Sequence, residues 1–275
     1  MNQKQREAWI RGRVLIMAVL AAAAFGGGAL ASPDIDSAIV HERIWNDAPY
    51  STFTFGNLYP SLLWMRDEGL DQTGWANRHN FRLSENGGIS DAVFMNDDAF
   101  EFHADVTITG TADSEGGLNL SPWWSQQVDG VFMVRTSDGE VSCWGGRLPF
   151  YNFSAAQGLT YTKGTTVRLG MVYDPHSLTE GDPGTIQYFY TDVDSTTYSS
   201  PVLAFDQGNP DEDPPYGLWG ILNDARVGGY FMPLVNNQIP GNWGQMDFQN
   251  MDYVPEPASL ALLGLASLAL LRRRQ

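Results

Sequence analysis

The 275-residue sequence holds a single cysteine, Cys143. One thiol cannot form an intrachain disulfide, so the fold must rest on its core rather than on covalent staples. Cys143 lies in the strand-like stretch "EVSCWGG", where an inert buried thiol is expected. Histidine is scarce as well: His41, His79, His103 and His176 are the four present, with no pair at metal-ligand spacing and no HExxH. A GxSxG elbow and a glycine-rich phosphate loop are both absent. Positive charge is nearly missing from the middle of the chain. Residues 32–254 carry nine Arg or Lys against 30 Asp or Glu, a net charge of −21, and Lys163 is the one lysine. Such a surface repels nucleic acid and anionic lipid, which argues against both as partners. Helical periodicity is missing too; "SLLWMRDEGL" over residues 61–70 offers a turn or two of helix.

What recurs instead is alternation. In "FEFHADVTIT", Phe100, Phe102, Ala104, Val106 and Ile108 alternate with Glu101, His103, Asp105, Thr107 and Thr109. "TVRLGMVY" sets Val167, Leu169, Met171 and Tyr173 on one face, and "TIQYFYTD" does the same with Ile186, Tyr188 and Tyr190. Further strand signals are "AIVHERIW", "STFTF", "NRHNFRLS", "DAVFM", "VFMVR", "GLWGIL", "GGYFMPL" and "QMDFQNM", separated by turn chemistry such as "ENGG", "SDGE" and "GDPG". The glycine pairs at 87–88, 116–117, 145–146 and 228–229 fit turns and bulges. One apolar and one polar face, repeated many times, predicts an all-β protein: an antiparallel two-sheet β-sandwich over residues 32–253.

The two ends follow different rules. Lys4, Arg6, Arg11 and Arg13 precede the apolar "VLIMAVLAAAAFGGGAL", and Ala29 and Ala31 then supply small residues before Ser32. That is the pattern of a secretory signal peptide over residues 1–31, with an apolar signal helix and a mature chain starting at Ser32. Gly12 separates Arg11 from Arg13, which favours the general secretion route over twin-arginine export. At the other end, the 14 residues Ala258 to Leu271 carry no charge. As a helix they span about 21 Å, short of the roughly 30 Å hydrocarbon core that a permanent anchor crosses. Arg272, Arg273 and Arg274 would hold the far end of this helix on the cytoplasmic side.

"VPEP", a short apolar helix and "RRR" at the C-terminus together resemble the PEP-CTERM sorting signal, over residues 254–275. The resemblance implies a protein of a Gram-negative, polysaccharide-producing bacterium. It would be exported by the secretion machinery and cut by signal peptidase. After transient insertion of its C-terminal helix into the inner membrane, the peptidase exosortase would cut it near Pro255, Glu256 and Pro257. The destination implied is the periplasm, the outer cell surface or the extracellular matrix. A second resemblance covers most of residues 38–253. "RHNFRLSENGG", "FEFHADVTITG", "DGEVSCWGGRLPF" and "YGLWGILNDARVGGYF" are similar to the strand and turn patterns of the concanavalin A-like lectin and glucanase jelly roll. That implies a lectin-like fold, without a catalytic signature.

Candidate chemistry is thin. Laminarinase-type glycanases of that jelly roll carry Glu-x-Asp-x-x-Glu or Glu-x-Asp-x-Glu along one strand, and the nearest spacing here is Glu101, His103 and Asp105. The pattern departs twice, with His in place of Asp and Asp in place of the acid/base Glu. Four residues of strand put the outer backbones about 13 Å apart. Retaining and inverting carboxyl pairs sit about 5 to 9.5 Å apart, so the bland reading is the polar face of an ordinary strand. Trp123 and Trp124 are candidates for stacking on a sugar ring, since adjacent strand residues point to opposite faces and one indole is then exposed. Trp75, Trp144, Trp219 and Trp243 fall in strand or glycine-rich patterns and read as packing. No metal ligand set is legible and no cofactor is expected, although "DVDSTT" at 192–197 and "NPDEDPP" at 209–215 admit calcium. The expected function is an exported, surface-sorted, non-catalytic protein that binds or organises extracellular polysaccharide. The alternatives are a glycan-active hydrolase or lyase with an atypical active site, and a structural matrix protein without a ligand.

Overall fold

The computed structural model describes residues 32–121, 129–208 and 218–255. They form two antiparallel sheets. In the first sheet the order is β1 (Ser37–Asn46), β4 (Asn77–Glu85), β15 (Arg226–Pro233), β7 (Ser114–Ser121), β8 (Gly130–Arg135), β9 (Val141–Trp144) and β10 (Tyr151–Asn152), with β5 (Ser90–Asp91) beside β4. In the second it is β13 (Thr197–Ser199), β12 (Thr185–Thr191), β11 (Thr166–Asp174), β6 (Phe100–Gly110), β16 (Trp243–Pro255), β3 (Leu62–Glu68) and β2 (Thr52–Leu58), with β14 (Leu203–Ala204) beside β12. The chain crosses between the sheets at β1–β2, β3–β4, β5–β6, β6–β7, β10–β11, β14–β15 and β15–β16, while β2–β3, β7–β8–β9 and β11–β12 are neighbours within one sheet. Among the described residues the one helix is the short α1 (Phe153–Gln157), whose N-terminus is capped by Asn152. The signal helix and the C-terminal apolar helix expected from the sequence lie outside the described residues.

Alternation builds the core between the sheets. On β6, Phe102, Ala104, Val106 and Ile108 are fully buried, and β11 and β12 add Leu169, Met171, Ile186 and Tyr188. The first sheet answers with Phe81, Leu83, Leu118, Phe132, Val134, Cys143, Val227 and Phe231 in the same cluster. Cys143 is wholly buried, and burial pushes its thiol well above its usual pKa, which removes it as a nucleophile.

Three local expectations are corrected. Residues 62–68 are strand, not helix: Leu63, Met65 and Asp67 are buried while their alternating neighbours are not, and β2 and β16 pair with the segment on either side. "DAVFM" contributes only Asp91 to a strand. Phe94 makes a lone bridge to Ala225 and instead plugs the core edge-on against Phe100 and Tyr253, at ring centroids of 5.4 and 5.9 Å. In "GLWGIL", the described residues 218–222 form no strand and bend at 219–221, with Ile221 buried. Strand β7, by contrast, was hidden by its glycines. A Cβ on Gly117 would strike the Phe132 carbonyl oxygen and one on Gly116 the Met246 sulfur, so close approach of neighbours selects glycine there.

Candidate functional site

On β4 the inward positions are His79, Phe81 and Leu83, so Arg78, Asn80 and Arg82 point to the outer face of the first sheet. Cross-strand register adds Tyr230 and Met232 from β15, Glu115 and Asn119 from β7, Val131 and Met133 from β8, and Trp144 from β9. This outer face is not simply solvated. Ala76, Val131, Met133, Tyr230 and Met232 form a second buried apolar cluster. At its edge opens a groove of about 750 Å³, walled by Arg43, Ile44, Trp45, Asn46, Trp75, Arg78, Glu115, Asp129, Val131, Trp144 and Met232.

One wall depends on an irregularity in β1. Its register with β4 breaks between His41 and Trp45, and Arg43 takes a left-handed backbone (φ 55°). A buried polar pair holds that bulge. His79 Nδ1 accepts from the Arg43 N–H at 3.1 Å, so the proton sits on Nε2, which donates to Asp67 at 3.0 Å. Both side chains are fully buried. Desolvation lowers the His79 pKa against the pull of Asp67, which keeps the ring neutral. Burial opposes the charge on Asp67, but hydrogen bonds from His79, Asn77 and Ser51 hold its carboxyl below the usual range. The bulge in turn delivers Trp45, which meets Trp75 edge-to-face at 4.8 Å. Asp47 ties the two residues together by accepting from the Trp45 indole Nε1–H at 3.1 Å and from the Trp75 backbone N–H at 3.0 Å.

The floor is a connected polar network. Arg78 donates to Asp129 at 3.0 Å and to Asn80 at 3.2 Å, and its guanidinium lies 4.5 Å from the Tyr230 ring centre. Asn119 donates to the Gly130 carbonyl at 3.1 Å. The Tyr230 hydroxyl donates to Glu115 at 3.1 Å. Burial raises the pKa of Glu115 from its usual value, and burial with the nearby Glu115 raises Tyr230 well above its usual value. A phenol so placed keeps its proton. No histidine lines the groove; His41 is engaged with Asp91 at 2.7 Å. The arrangement thus offers three half-exposed indoles, Trp45 at 40%, Trp75 at 50% and Trp144 at 43%, around polar groups already paired with one another. Indole faces with hydrogen-bonding edges suit the flat apolar faces and hydroxyl rims of sugars.

The residues proposed from the sequence lie elsewhere. Glu101, His103 and Asp105 sit on the outer face of the second sheet, on β6. His103 Nε2 is 2.7 Å from Glu101, while Asp105 is occupied by Arg168 and Asn250, each at 2.8 Å. The three therefore share a sheet face but divide into two separate local pairings. Trp123 and Trp124 lie outside the described residues, as do Ala29, Ala31, Glu256, Pro257 and Arg272 to Arg274. Ser32 is described, and its hydroxyl donates to the Ala99 carbonyl at 3.2 Å. Trp75 and Trp144 line the groove rather than pack inside, a correction to their reading as core. Trp243 stays a packing residue, with the Arg66 guanidinium 3.8 Å from its ring centre. In 192–197, Asp192 spends a carboxylate oxygen on the N–H groups of Asp194 and Thr196, both at 2.9 Å, which explains the loop as an Asx turn. The loop 209–215 lies outside the described residues. Among the described residues no cluster of three or more His, Cys, Asp or Glu could hold a metal.

The fold is that of a jelly-roll β-sandwich, with a groove on one outer face. Residues 254–275 match the PEP-CTERM protein-sorting motif, so the chain carries the sorting tail of exported, surface-directed proteins. A comparison with curated proteins gives no match. Solved structures of similar shape include an alginate lyase of polysaccharide lyase family 7, AlgAT5. It shares 13% identity over 83% of this chain and 100% of that one, with a TM-score of 0.44. Lectin II from Ulex europaeus shares 8% over 82% and 100%, with a TM-score of 0.41. The alginate lyase from Klebsiella pneumoniae shares 9% over 70% and 81%, with a TM-score of 0.39. Likenesses this low carry no statement about activity.

Proposed function

We propose that residues 32–253 form the mature domain of a surface-sorted protein that binds extracellular polysaccharide without cleaving it, through the groove on the first sheet. The observation that supports this reading most directly is the ring of exposed indoles, Trp45, Trp75 and Trp144, around the groove. Its volume falls in the roughly 300–1,000 Å³ range of ligand sites. On this reading signal peptidase cuts between Ala31 and Ser32. Exosortase removes the tail near Glu256 and Pro257 after the C-terminal helix has entered the inner membrane. A glycan-array screen of the mature domain, run with and without calcium because the acidic loops of the chain admit that ion, tests the reading. Binding that disappears in Trp144→Ala supports it. Binding unaffected by Trp45, Trp75 and Trp144 substitutions overturns it.

One observation favours a second reading. Glu115 is a buried carboxyl of raised pKa in the same groove as the carboxylate Asp129, the pairing of acid and carboxylate that glycoside hydrolysis uses. Under this reading the acids of interest are Glu115 and Asp129 rather than Glu101 and Asp105. Reducing-sugar release that vanishes in Glu115→Gln would establish it.

A further inference from the structure

Both ends of the described chain leave the domain at one corner. The Ser32 hydroxyl donates to the carbonyl of Ala99, and Pro255 is the register partner of the next residue, Phe100. Consecutive Cα atoms are about 3.8 Å apart, and paired strands about 5 Å. Ser32 and Pro255 therefore lie within roughly 15 Å of each other. The sheet also reaches into the sorting motif. Strand β16 continues to Pro255, and Asp252, Tyr253, Val254 and Pro255 pair in order with His103, Phe102, Glu101 and Phe100. Only Glu256 and Pro257 separate that strand from the uncharged run beginning at Ala258. Two extended residues reach at most about 7 Å. A peptidase working at Pro255-Glu256-Pro257 meets a folded sheet on one side and the membrane-inserting run on the other.

Peptidases hold substrate extended over several residues, and a residue bonded into a sheet is not available for that. Cleavage of such a site follows the population of the locally opened state. The end of β16 is built to open. The β16–β6 register breaks between Gln249 and Asp252, where Asn250 takes a left-handed backbone (φ 47°), so the last four residues form a unit of their own. Pro255 has no N–H to give to β6. Tyr253 is the one side chain of the four with a substantial apolar contact, against Phe94, and its hydroxyl is buried without a hydrogen-bond partner. An unsatisfied buried hydroxyl weakens the very residue that clamps the strap.

We propose that Asp252–Pro255 is a strap that must peel from β6 before the membrane peptidase can remove the tail, and that this corner is where the peptidase engages the domain. Tail removal then reports the opening of the last strand, and it does not depend on what the groove binds. The test uses the full chain in a host that carries the peptidase, following conversion of precursor to product by mass. In Glu101→Cys/Val254→Cys, cross-linking the paired positions should slow tail removal at least 10-fold, and reductant should restore it. Cys143 is fully buried and does not compete. Tyr253→Phe removes the unpaired hydroxyl and keeps the ring, so processing should slow about 2- to 3-fold, while Tyr253→Ala should speed it. Equal rates for wild type, the cross-linked protein and Tyr253→Phe overturn the proposal, as does a product whose C-terminus lies beyond Ala258.

Discussion

The outer face of β4, β15, β7 and β8 and the outer face of β6, β11 and β16 obey the same two-residue alternation, yet they end in different environments. On the second sheet the outward residues stay near water and pair locally. Thr107 meets Thr166 at 2.7 Å, Gln245 donates to Asp247 at 2.8 Å, and Arg168 donates to Asp105 at 2.8 Å. On the first sheet the outward residues Tyr230, Asn80 and Asn119 are completely buried. There the β1 bulge and Trp75 wall the groove, and Ala76 packs into the buried cluster of Val131, Met133, Tyr230 and Met232. Outward is therefore not the same as exposed. A face becomes a site when neighbouring segments rise beside it and its polar groups have to satisfy one another.

Breaking the first face should cost most. Tyr230→Ala removes a buried ring from the outer apolar cluster and strands Glu115, and should destabilise the domain by about 4 kcal/mol in denaturant titration. A loss below about 1 kcal/mol would mean that this face is solvated like the other. Next comes Asp129→Ala, which leaves the nearly buried Arg78 without its carboxylate, side-chain exposures being 11% and 1%. It should cost about 3 kcal/mol, because a buried charge is left uncompensated. Trp144→Ala should leave stability nearly unchanged while weakening glycan binding by about 1–3 kcal/mol, a range taken from aromatic stacking on bases. Titration calorimetry separates the two effects.

Acidity sharpens the contrast further. The folded pKa of His79 is depressed, so its contribution is complete above the unfolded value of 6.5 and is lost as pH falls through that value toward the folded one. The denaturant midpoint should drop between pH 7 and pH 5, and His79→Gln should flatten that drop. Glu115 works in the opposite sense. Its raised pKa gives stability that is complete below the unfolded 4.5 and fades as pH rises through the folded value. The smallest effect belongs to the other face: Glu101→Gln, half-exposed on β6, should change stability by less than about 0.5 kcal/mol and leave binding intact. A large loss there would move the functional face to the second sheet.

How far the site was legible can be judged residue by residue. Alternation located β6, β11 and β12 because each carries an unbroken apolar file that has to meet a core. It failed at β7, where Gly116 and Gly117 erase the file, and at β3, where the buried Asp67 interrupts it. For the site, the motif spacing of Glu101, His103 and Asp105 pointed to the outer face of the second sheet, whereas the groove walled by Trp45, Trp75 and Trp144 lies on the first. Trp75 and Trp144 looked like packing because nothing local distinguishes a core indole from one on a rim.

The sequence alone determined the sorting tail, since the PEP-CTERM motif is a linear pattern read along 22 consecutive residues, 254–275. It also determined the sheet architecture, because a period of two is a local property of strands. The groove was decided only in three dimensions. Trp45, Trp75, Glu115, Asp129 and Trp144 come from segments as much as 99 positions apart in sequence, and the register of β1, β4, β15, β7, β8 and β9 alone brings them together. The same holds for the nearness of Ser32 to Pro255, which arises because Ser32 bonds to Ala99 and Pro255 pairs with Phe100: which segments become neighbours is not encoded in any local pattern of residues.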